Sequence, residues 1–297
     1  MWLKNIVVYL GIGLINFMAL LPLSVARAIG TLLGLIFWYT RGPMVNVTRI
    51  NLEKCFPELS KQARDKLAKD SLIALGKTYA EMGMSWVWPI PKVQKLITQV
   101  EGMEHLEQAL NDKNGLILIA PHLGNWEILN HFFRQHLFMT VMYKPAKIPA
   151  LDNYIFKTRK RVDVGLVPAD RSGVEALYKL LEDKGVVAVL PDQEPGRKSG
   201  VFAPFMGQLA LTGKLIGELA HNTPAYLLCC YAKRLPDGNY GVVLKPASND
   251  IRCGEPEAAA TALNKDIETC IRECPEQYQW TYKRFRRQPE GRSMFYK

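Results

Sequence analysis

The chain has few cysteines for its length, and their spacing suits neither a disulfide scaffold nor a zinc site. Its 297 residues include six cysteines, whereas small domains held together by disulfides carry many more per residue. Cys229 and Cys230 are adjacent in an apolar run, and Cys270 and Cys274 are one helical turn apart. No second Cys or His pair has zinc spacing. We therefore expect reduced thiols in the core and no metal.

Glycine-rich phosphate loops are also missing. No segment has the spacing of a P-loop or of the dinucleotide-binding fingerprint, so nucleotide chemistry and a bound cofactor are not expected. A composition of 48% hydrophobic and 22% charged residues excludes a disordered or collagen-like chain. The length suits one large domain or two modest ones.

Formal charge is nearly absent from the first forty residues. The segment Ile6–Ser24 has nineteen residues without a charge, and Asn16 is its one strongly polar residue. Because about 20 such residues cross a bilayer core, we predict a transmembrane anchor here. The next apolar run, Ala28–Tyr39, is shorter and ends in Trp38 and Tyr39. These features predict a segment lying at the membrane surface.

A cleaved signal peptide is the alternative for this region, since residues 26–28 resemble an A-x-A cleavage site. The apolar run is longer than a usual signal core, and more apolar sequence follows it, which favours a retained anchor. Arg27, Arg41 and Arg49 follow the predicted span, against Lys4 before it. This distribution places the bulk of the protein on the cytoplasmic side.

Beyond about residue 100, short apolar runs alternate with amphipathic stretches. A helix is predicted over Ser172–Lys184 with Gly185 as its stop signal, and a longer one over Ser60–Trp86. The predicted strands are Gly115–Ala120, Thr140–Tyr143, Val162–Val167, Val186–Leu190, Ala225–Tyr231 and Tyr240–Leu244. This alternation predicts an α/β fold with a mixed, partly parallel sheet flanked by helices.

His122 and Glu127 form the candidate catalytic pair. The strand GLILIA runs into His122, so this histidine lies at the carboxyl end of a strand, where α/β sheets place ligands. Five residues on a regular helix leave two side chains about 140° apart, so the pair can meet only if His122 precedes the helix and Glu127 opens it. An ionised Glu127 would fix the imidazole tautomer, and the other ring nitrogen could then take a proton from a substrate hydroxyl. A structural histidine at a strand end is the alternative.

The segment HLGNWE resembles the H-x4-E box of the bacterial lipid A late acyltransferases, the lauroyl and myristoyl transferases, which are a branch of the glycerolipid acyltransferases. Further blocks resemble that family in the same order, and the resemblance covers essentially the whole chain. These blocks are Asn51-Leu52, Cys55–Glu58, Tyr143–Pro145, Arg159, Pro191–Glu194, Gly196–Lys198, Phe202–Phe205 with Thr212, Pro275–Trp280, Arg284-Phe285 and Pro289–Gly291. Departures at Lys144, Met206 and Gln288 leave the acyl-chain length and the acceptor open.

The resemblance implies a glycerolipid-acyltransferase-like fold, with residues 1–40 as membrane anchor and interfacial segment and residues 41–297 as the catalytic domain. It implies transfer of a fatty acyl chain of C12–C14 from acyl carrier protein to a hydroxyl of a lipid A precursor. His122, oriented by Glu127, would act as general base without a covalent enzyme intermediate. The expected location is the bacterial inner membrane, as a single-pass protein with its catalytic domain facing the cytoplasm.

The same resemblance supplies candidate substrate-binding residues, namely Lys144, Arg159, Asp192, Arg197, Phe202 and Phe205. The planar guanidinium of Arg159 suits either a substrate phosphate or the oxyanion of the reaction, although this residue could instead belong to a solvated basic face. Asp192 is expected to support the site rather than to react. Phe202 and Phe205 are expected to shape the acyl pocket, or else to be ordinary core residues.

The net charge of +10 is concentrated near the C-terminus. Residues 281–297 contain the cations Lys283, Arg284, Arg286, Arg287, Arg292 and Lys297, and Glu290 is the one carboxylate among them. Interleaved aromatic residues could indicate nucleic-acid binding. Beside a membrane anchor, the charge fits an anionic membrane surface and the acidic acyl carrier protein better, so we expect no nucleic-acid partner. A solubilising tail is the alternative.

Three other functions remain open at this point. One is an acyltransferase of the same mechanism acting on a glycerolipid or a phosphoinositol mannoside. Another is a thioesterase or lipid hydrolase that uses water as the nucleophile. The third is a membrane-bound lipid-binding or scaffolding protein without catalytic activity, which the intact set of polar site residues disfavours.

Overall fold

The computed structural model describes residues 2–291 and 293–296. Within these residues the helices are α1 (Trp2–Leu20), α2 (Leu23–Thr40), α3 (Pro43–Cys55), α4 (Lys61–Val87), α5 (Ile90–Gln94), α6 (Met103–Asp112), α7 (Glu127–Phe133), α8 (Pro149–Arg161), α9 (Arg171–Glu182), α10 (Leu215–Asn222) and α11 (Pro256–Glu273). The strands are β1 (Ile97–Glu101), β2 (Leu116–Ile119), β3 (Thr140–Tyr143), β4 (Gly165–Pro168), β5 (Val186–Val189), β6 (Gly200–Phe205), β7 (Gln208–Gly213), β8 (Tyr226–Arg234) and β9 (Tyr240–Pro246).

The predicted mixed, partly parallel sheet is confirmed. Its strand order is β1-β9-β8-β2-β5-β3-β4, and β6 and β7 form a separate antiparallel hairpin. All neighbours in the large sheet are parallel except β8 and β9. Central strands such as β2 are buried along their whole length, as expected for a sheet covered by helices on both faces.

Alternate residues of the central strands divide the core into two layers. Ile117 and Ile119 pack on one face with apolar residues of α9, α10 and α11. Leu116 and Leu118 pack on the other face with residues of α6 and α7. The side-chain period of two in a strand therefore produces a three-layer arrangement, and the carboxyl ends of β2 and β5 lie side by side within it.

The long helix predicted over residues 60–86 is confirmed as α4. The Ser60 hydroxyl accepts a hydrogen bond from the backbone N–H of Ala63 at 3.2 Å, which caps the first turn. The helix ends at Val87, immediately before Trp88-Pro89. Because α4 contacts α1, α2, α7 and α8, it joins the N-terminal helices to the elements around the sheet.

The N-terminal helices have different bounds from those predicted. The break between them falls at Leu21-Pro22, inside the predicted span, and α2 is 18 residues long rather than a short surface segment. Of the helices described, α2 is the one long and apolar enough to cross a membrane by length and composition, with a mean hydropathy of 1.4. The sequence analysis placed a boundary at Arg27, between two apolar runs. The helix continues through this position because the charge of Arg27 has an ionic partner in the fold. A single-pass anchor stays a prediction.

A buried cluster around Glu81 attaches α2 and β8 to α4. The Glu81 carboxylate, with no exposed surface, accepts from Nε of Arg27 at 2.6 Å and from Nε of Arg234 at 2.8 Å. Asn125, in the loop after β2, donates to the same carboxylate at 3.2 Å and also contacts the Tyr240 hydroxyl at 3.2 Å. Burial alone would raise the pKa of Glu81, but Arg234 and Arg27 hold it below the usual range for Glu.

Replacing Glu81 by Gln is expected to destabilise the protein by about 3–5 kcal/mol, because it leaves two largely buried guanidinium groups without their counter-charge. The pKa of Glu81 is lowered on folding, so its contribution is complete above the unfolded value of about 4.3 and is lost as the pH falls through the folded value. Melting curves in detergent should show a constant deficit between about pH 5 and pH 8 that shrinks in more acidic buffer. Exposed Glu107 provides the control, since Glu107→Gln should melt like the unmodified protein. A deficit that grows on acidification would contradict this assignment.

Candidate active site

His122 and Asp192 meet where two neighbouring parallel strands end. His122 follows β2, and Asp192 follows β5. The Oδ1 atom of Asp192 lies 2.8 Å from Nδ1 of His122, and Oδ2 accepts the backbone N–H of His122 at 2.9 Å. One carboxylate therefore positions both the main chain and the ring of this histidine.

The environment of Asp192 determines which nitrogen of His122 is free. Burial by itself raises the pKa of the Asp192 carboxyl, but the His122 ring and backbone N–H groups hold it below its usual range. An ionised Asp192 favours a proton on Nδ1, so the lone pair lies on Nε2. The Gln193 carboxamide donates toward this Nε2 at 3.4 Å and to the side-chain oxygen of Gln279 at 3.0 Å. The imidazole is thus arranged to accept a proton through Nε2.

The direct pairing of His122 with Glu127 that the spacing predicted does not occur in the structure. Glu127 does open α7, as expected, but its Oε1 accepts from Arg159 at 2.9 Å and its Oε2 accepts from Asn130 at 2.9 Å. The side chain next to the His122 ring is Trp126, whose ring lies edge-on at a centroid distance of 5.1 Å. A guanidinium on α8 compensates a buried carboxylate more completely than a neutral imidazole does, so Glu127 pairs with Arg159.

The loop between His122 and α7 is held by contacts to distant segments. Leu123 forms an isolated antiparallel bridge with Tyr278, and Gly124 forms a parallel bridge with Ala232. Gly124 has a φ of 65°, and a Cβ at this position would lie 2.0 Å from the carbonyl oxygen of Ala232. Glycine is therefore required here, and the fixed turn directs His122 and Glu127 to different partners.

Glu127 and Arg159 form an ion pair between α7 and α8. Glu127 is 4% exposed; burial alone would raise the pKa of its carboxyl, but Arg159 lowers this pKa below the usual range for Glu. The Nε of Arg159 is buried and has no hydrogen-bond partner among the residues that the structure describes. Arg159 is therefore oriented by Glu127 and keeps a donor for an oxygen of a bound molecule.

A cavity of about 330 Å³ extends from His122 along one face of the sheet. Its polar end includes His122, Gln193 and Lys144, and both members of the Glu127–Arg159 pair also line it. The wall further from His122 is apolar. It contains a row of neighbouring strand residues together with two side chains from and after α7, namely Leu118, Ala188, Val141, Phe133 and Met139. The arrangement combines a proton acceptor at one end with room for an apolar chain behind it.

The remaining predicted site residues divide into two groups. Lys144 lines the cavity, as expected. Arg197 is exposed, 3.9 Å from Glu290, and is not in the cavity wall. Phe205 is fully buried against Phe285, and half-buried Phe202 lies in the same β6–β7 hairpin, so neither phenylalanine lines this cavity. The hairpin packs on α11 instead.

The basic C-terminal segment also differs from the expectation of a free charged surface. Arg284 is 2% exposed and donates to the Leu211 carbonyl and the Thr212 hydroxyl, both at 2.7 Å. Arg286 pairs with the buried Glu194 carboxylate at 3.4 Å. Two further cations counted in this segment, Arg292 and Lys297, lie outside the described residues. Arg284 is a structural residue rather than a docking charge.

Two polar residues at the site were not among the predicted ones. Gln193 directly follows Asp192, and Gln279 lies in the segment PEQYQW. Both belong to blocks that resemble the family, and a carboxamide directly after the carboxylate of Asp192 was the available signal for Gln193. The backbone N–H of Gln279 donates to the carbonyl of His122 at 3.2 Å, so this C-terminal segment forms part of the site.

Comparison with known proteins identifies the family of this chain. The model of the family described as bacterial lipid A biosynthesis acyltransferase matches residues 1–287. The chain belongs to this family. It is therefore an acyltransferase, and the expected family is confirmed.

Individual relatives are similar over most of their length. The chain is 31% identical to the lipid A biosynthesis lauroyltransferase of Escherichia coli K12, over 95% of this chain and 92% of the relative. It is 28% identical to the palmitoleoyltransferase of the same strain, over 97% and 94% of the two chains. The myristoyltransferase of that strain is 24% identical over 84% of this chain and 77% of its own length. Since these relatives differ in the acyl group named, similarity alone leaves the chain length open.

Proposed function

We propose that this protein transfers a fatty acyl chain from acyl carrier protein to a hydroxyl group of a lipid A precursor, with His122 as the general base. The observation that carries the proposal is the His122–Asp192 pair at the polar end of an otherwise apolar cavity. The names of the relatives supply the acceptor class and the lauroyl to palmitoleoyl range of acyl groups.

The proposed reaction proceeds directly between the two substrates. Nε2 of His122 takes the proton of the acceptor hydroxyl, and the oxygen attacks the thioester carbonyl carbon. The resulting oxyanion collapses, the carbon–sulfur bond breaks, and His122 returns the proton to the departing thiolate of the carrier protein. Asp192 holds the ring in the required tautomer and balances the transient imidazolium charge.

Arg159 is the proposed partner of the developing negative charge. Its guanidinium lines the cavity with His122, and Glu127 fixes its orientation through a 2.9 Å ion pair. Because Nε has no partner among the described residues, it is available to an oxyanion or a substrate phosphate. Glu127 thus contributes by positioning Arg159, which replaces the role of orienting His122 that its spacing had predicted.

The apolar end of the cavity is the proposed site of the acyl chain. Burial of each methylene contributes about 0.8 kcal/mol, so an apolar cavity of limited volume favours chains that fill it. The polar end, where Lys144 lies with His122 and Gln193, would receive the thioester. The carrier protein and an anionic membrane surface are the proposed partners, with the protein at the bacterial inner membrane and its catalytic domain on the cytoplasmic side.

An acyl-transfer assay tests the proposal. Purified full-length protein in detergent is supplied with acyl carrier proteins loaded from decanoyl to palmitoyl and with a Kdo-containing lipid A precursor. We expect a product heavier by one acyl chain, absent with His122→Ala and retained with His136→Ala, an exposed histidine outside the cavity.

Three outcomes would contradict parts of this proposal. Product with lysophospholipid and none with the lipid A precursor would indicate a glycerolipid acceptor. Loss of the acyl group without any acceptor would indicate hydrolysis of the thioester. An active His122→Ala variant would exclude His122 as the base.

A further inference from the structure

The first two helices present a large apolar surface to the outside. Of the seventeen large hydrophobic residues that are exposed among the described side chains, eleven belong to α1 and α2. Leu14 and Leu20 of α1 are 58% and 80% exposed, and Leu32 and Ile36 of α2 are 58% and 48% exposed. Soluble monomers rarely leave so many large apolar side chains together in water, so this surface has an occupant.

The opposite faces of both helices lie against the body of the protein. In α1, Met18 and Ala19 are buried, and Asn16 accepts a hydrogen bond from the Tyr154 hydroxyl of α8 at 3.1 Å. In α2, Gly30 and Gly34 approach α4 so closely that added Cβ atoms would lie 2.7 and 2.5 Å from its backbone. Neither helix extends freely away from the catalytic body at these positions.

The position of the one charged residue also distinguishes the outward face of α1 and α2 from the inward face. Arg27 is the one formally charged residue between Ile6 and Thr40. Its guanidinium faces inward to Glu81 and also donates to the carbonyl of Gly238. A transmembrane orientation would require α2 to leave α4, which would separate this buried pair and expose the glycine faces to lipid. The helix that resembles a membrane span by composition is therefore held as part of the folded domain.

We propose that α1 and α2 form an apolar platform that lies in the plane of the bilayer surface and does not cross it. The platform is the outward surface of residues 6–40. Its partner is the cytoplasmic leaflet of the membrane, because the outward faces carry no charge while cations gather where α2 ends. There, Arg49 lies over the Trp38 ring at 4.5 Å and Lys69 over the Tyr39 ring at 5.8 Å, a combination suited to the headgroup layer.

The platform also stands close to the cavity. On α8, Tyr154 contacts α1, whereas Asp152, Ile155 and Arg159 line the cavity. One helix therefore separates the proposed membrane surface from the catalytic groups. A lipid acceptor could reach His122 from the leaflet without leaving the membrane surface completely. The membrane proposal itself stands on the packing of α1 and α2 and does not depend on the identity of the reaction.

Topology of the full-length chain provides the first test. A protease-cleavable tag is placed at each terminus, and cleavage is compared in intact spheroplasts and in inverted inner-membrane vesicles. We expect both tags to be cut in inverted vesicles and neither in spheroplasts, because both ends lie on the cytoplasmic side. Cleavage of the N-terminal tag only in spheroplasts would show that the chain crosses the bilayer and would overturn the proposal.

Depth measurements provide the second test. Exposed Cys253 is replaced by Ser, and nitroxide labels are attached at Leu14→Cys, Leu20→Cys, Leu32→Cys and Ile36→Cys in protein bound to phosphatidylethanolamine–phosphatidylglycerol vesicles. We expect all four labels at a similar depth of about 5–10 Å, and a label at Glu107→Cys in water. A depth that rises and falls along α1 or α2 would indicate a spanning helix. Labels that are shielded equally without lipid, in a protein of doubled mass, would instead identify a second copy of this chain as the occupant.

Discussion

Replacing Asp192 by Asn should lower the rate of acyl transfer by about 10²- to 10⁴-fold, with little change in the KM of either substrate. The side chain is 2% exposed, contacts the ring and backbone of His122, and does not line the cavity. An amide cannot stabilise the imidazolium, and it can present an N–H to Nδ1, which moves the ring proton to Nε2. The base would then be blocked although the residue has nearly the same shape. Steady-state kinetics with both substrates varied measures this split between kcat and KM.

The corresponding Glu127→Gln variant separates the two possible dyads. If Glu127 acts through Arg159, the effects of Glu127→Gln and Arg159→Gln on kcat/KM should not add. A double-mutant cycle should then give an interaction energy of about 1–3 kcal/mol. Exposed Asp183 supplies the control, because Asp183→Asn should leave kinetics and melting temperature unchanged. A nearly active Asp192→Asn variant, together with an inactive Glu127→Gln variant uncoupled from Arg159, would restore the His122–Glu127 pair that the spacing predicted.

The comparison of these two carboxylates shows what sequence spacing can and cannot provide. His122 was located correctly at the carboxyl end of a strand because an apolar run that stops at a polar residue is a local signal. Its partner Asp192 lies seventy residues further along the chain. The two meet because β2 and β5 are neighbours in the sheet. Strand order is a property of the folded chain, so spacing pointed to the nearer carboxylate, Glu127.

The fold shows the same difference between local sequence signals and contacts that only the folded chain creates. The central strands and α4 were predicted because their apolar residues repeat with the period of a strand or a helix. Strand β1 was not predicted, because four of its five residues are exposed and its sequence, ITQVE, has no apolar alternation. The β6–β7 hairpin was read as a pocket motif because its sequence resembles a family block, whereas Phe205 is buried against Phe285. Arg27 was read as a boundary because its partner Glu81 is fifty-four residues away.

Replacing Ala188 by Phe should shorten the preferred acyl chain. Ala188 lies opposite Leu118 on one side and Val141 on the other, so the three form one row across the sheet at the apolar part of the cavity. This row is two residues before Ala120 and Leu190, which places it about 6.6 Å further from the catalytic end. A larger side chain at this depth would occupy space that the end of a long chain otherwise fills.

The size of the effect follows from the methylene contribution. Each methylene that can no longer be buried loses about 0.8 kcal/mol, close to a fourfold change in kcat/KM. Exclusion of three or four carbons should therefore change the ratio between myristoyl and decanoyl donors by about 10²-fold in competition assays. Ala188→Val should have a smaller effect in the same direction, and Val141→Ala, which enlarges the same row, should favour longer chains. Melting curves identify any loss of folding from overpacking, which typically costs about 1–3 kcal/mol.

The direction in which each substitution shifts the preferred donor length is more informative than the absolute rates. A general defect in folding or catalysis would lower kcat/KM for every donor by the same factor and leave the ratio between donors unchanged. Opposite shifts from Ala188→Phe and Val141→Ala can arise only if the end of the acyl chain reaches this row. An unchanged donor ratio in both variants, with normal melting curves, would instead indicate that this cavity holds the acceptor and not the acyl chain. The chain-length profile is therefore a direct measure of which substrate the apolar wall holds, because only the donor changes in length across the series.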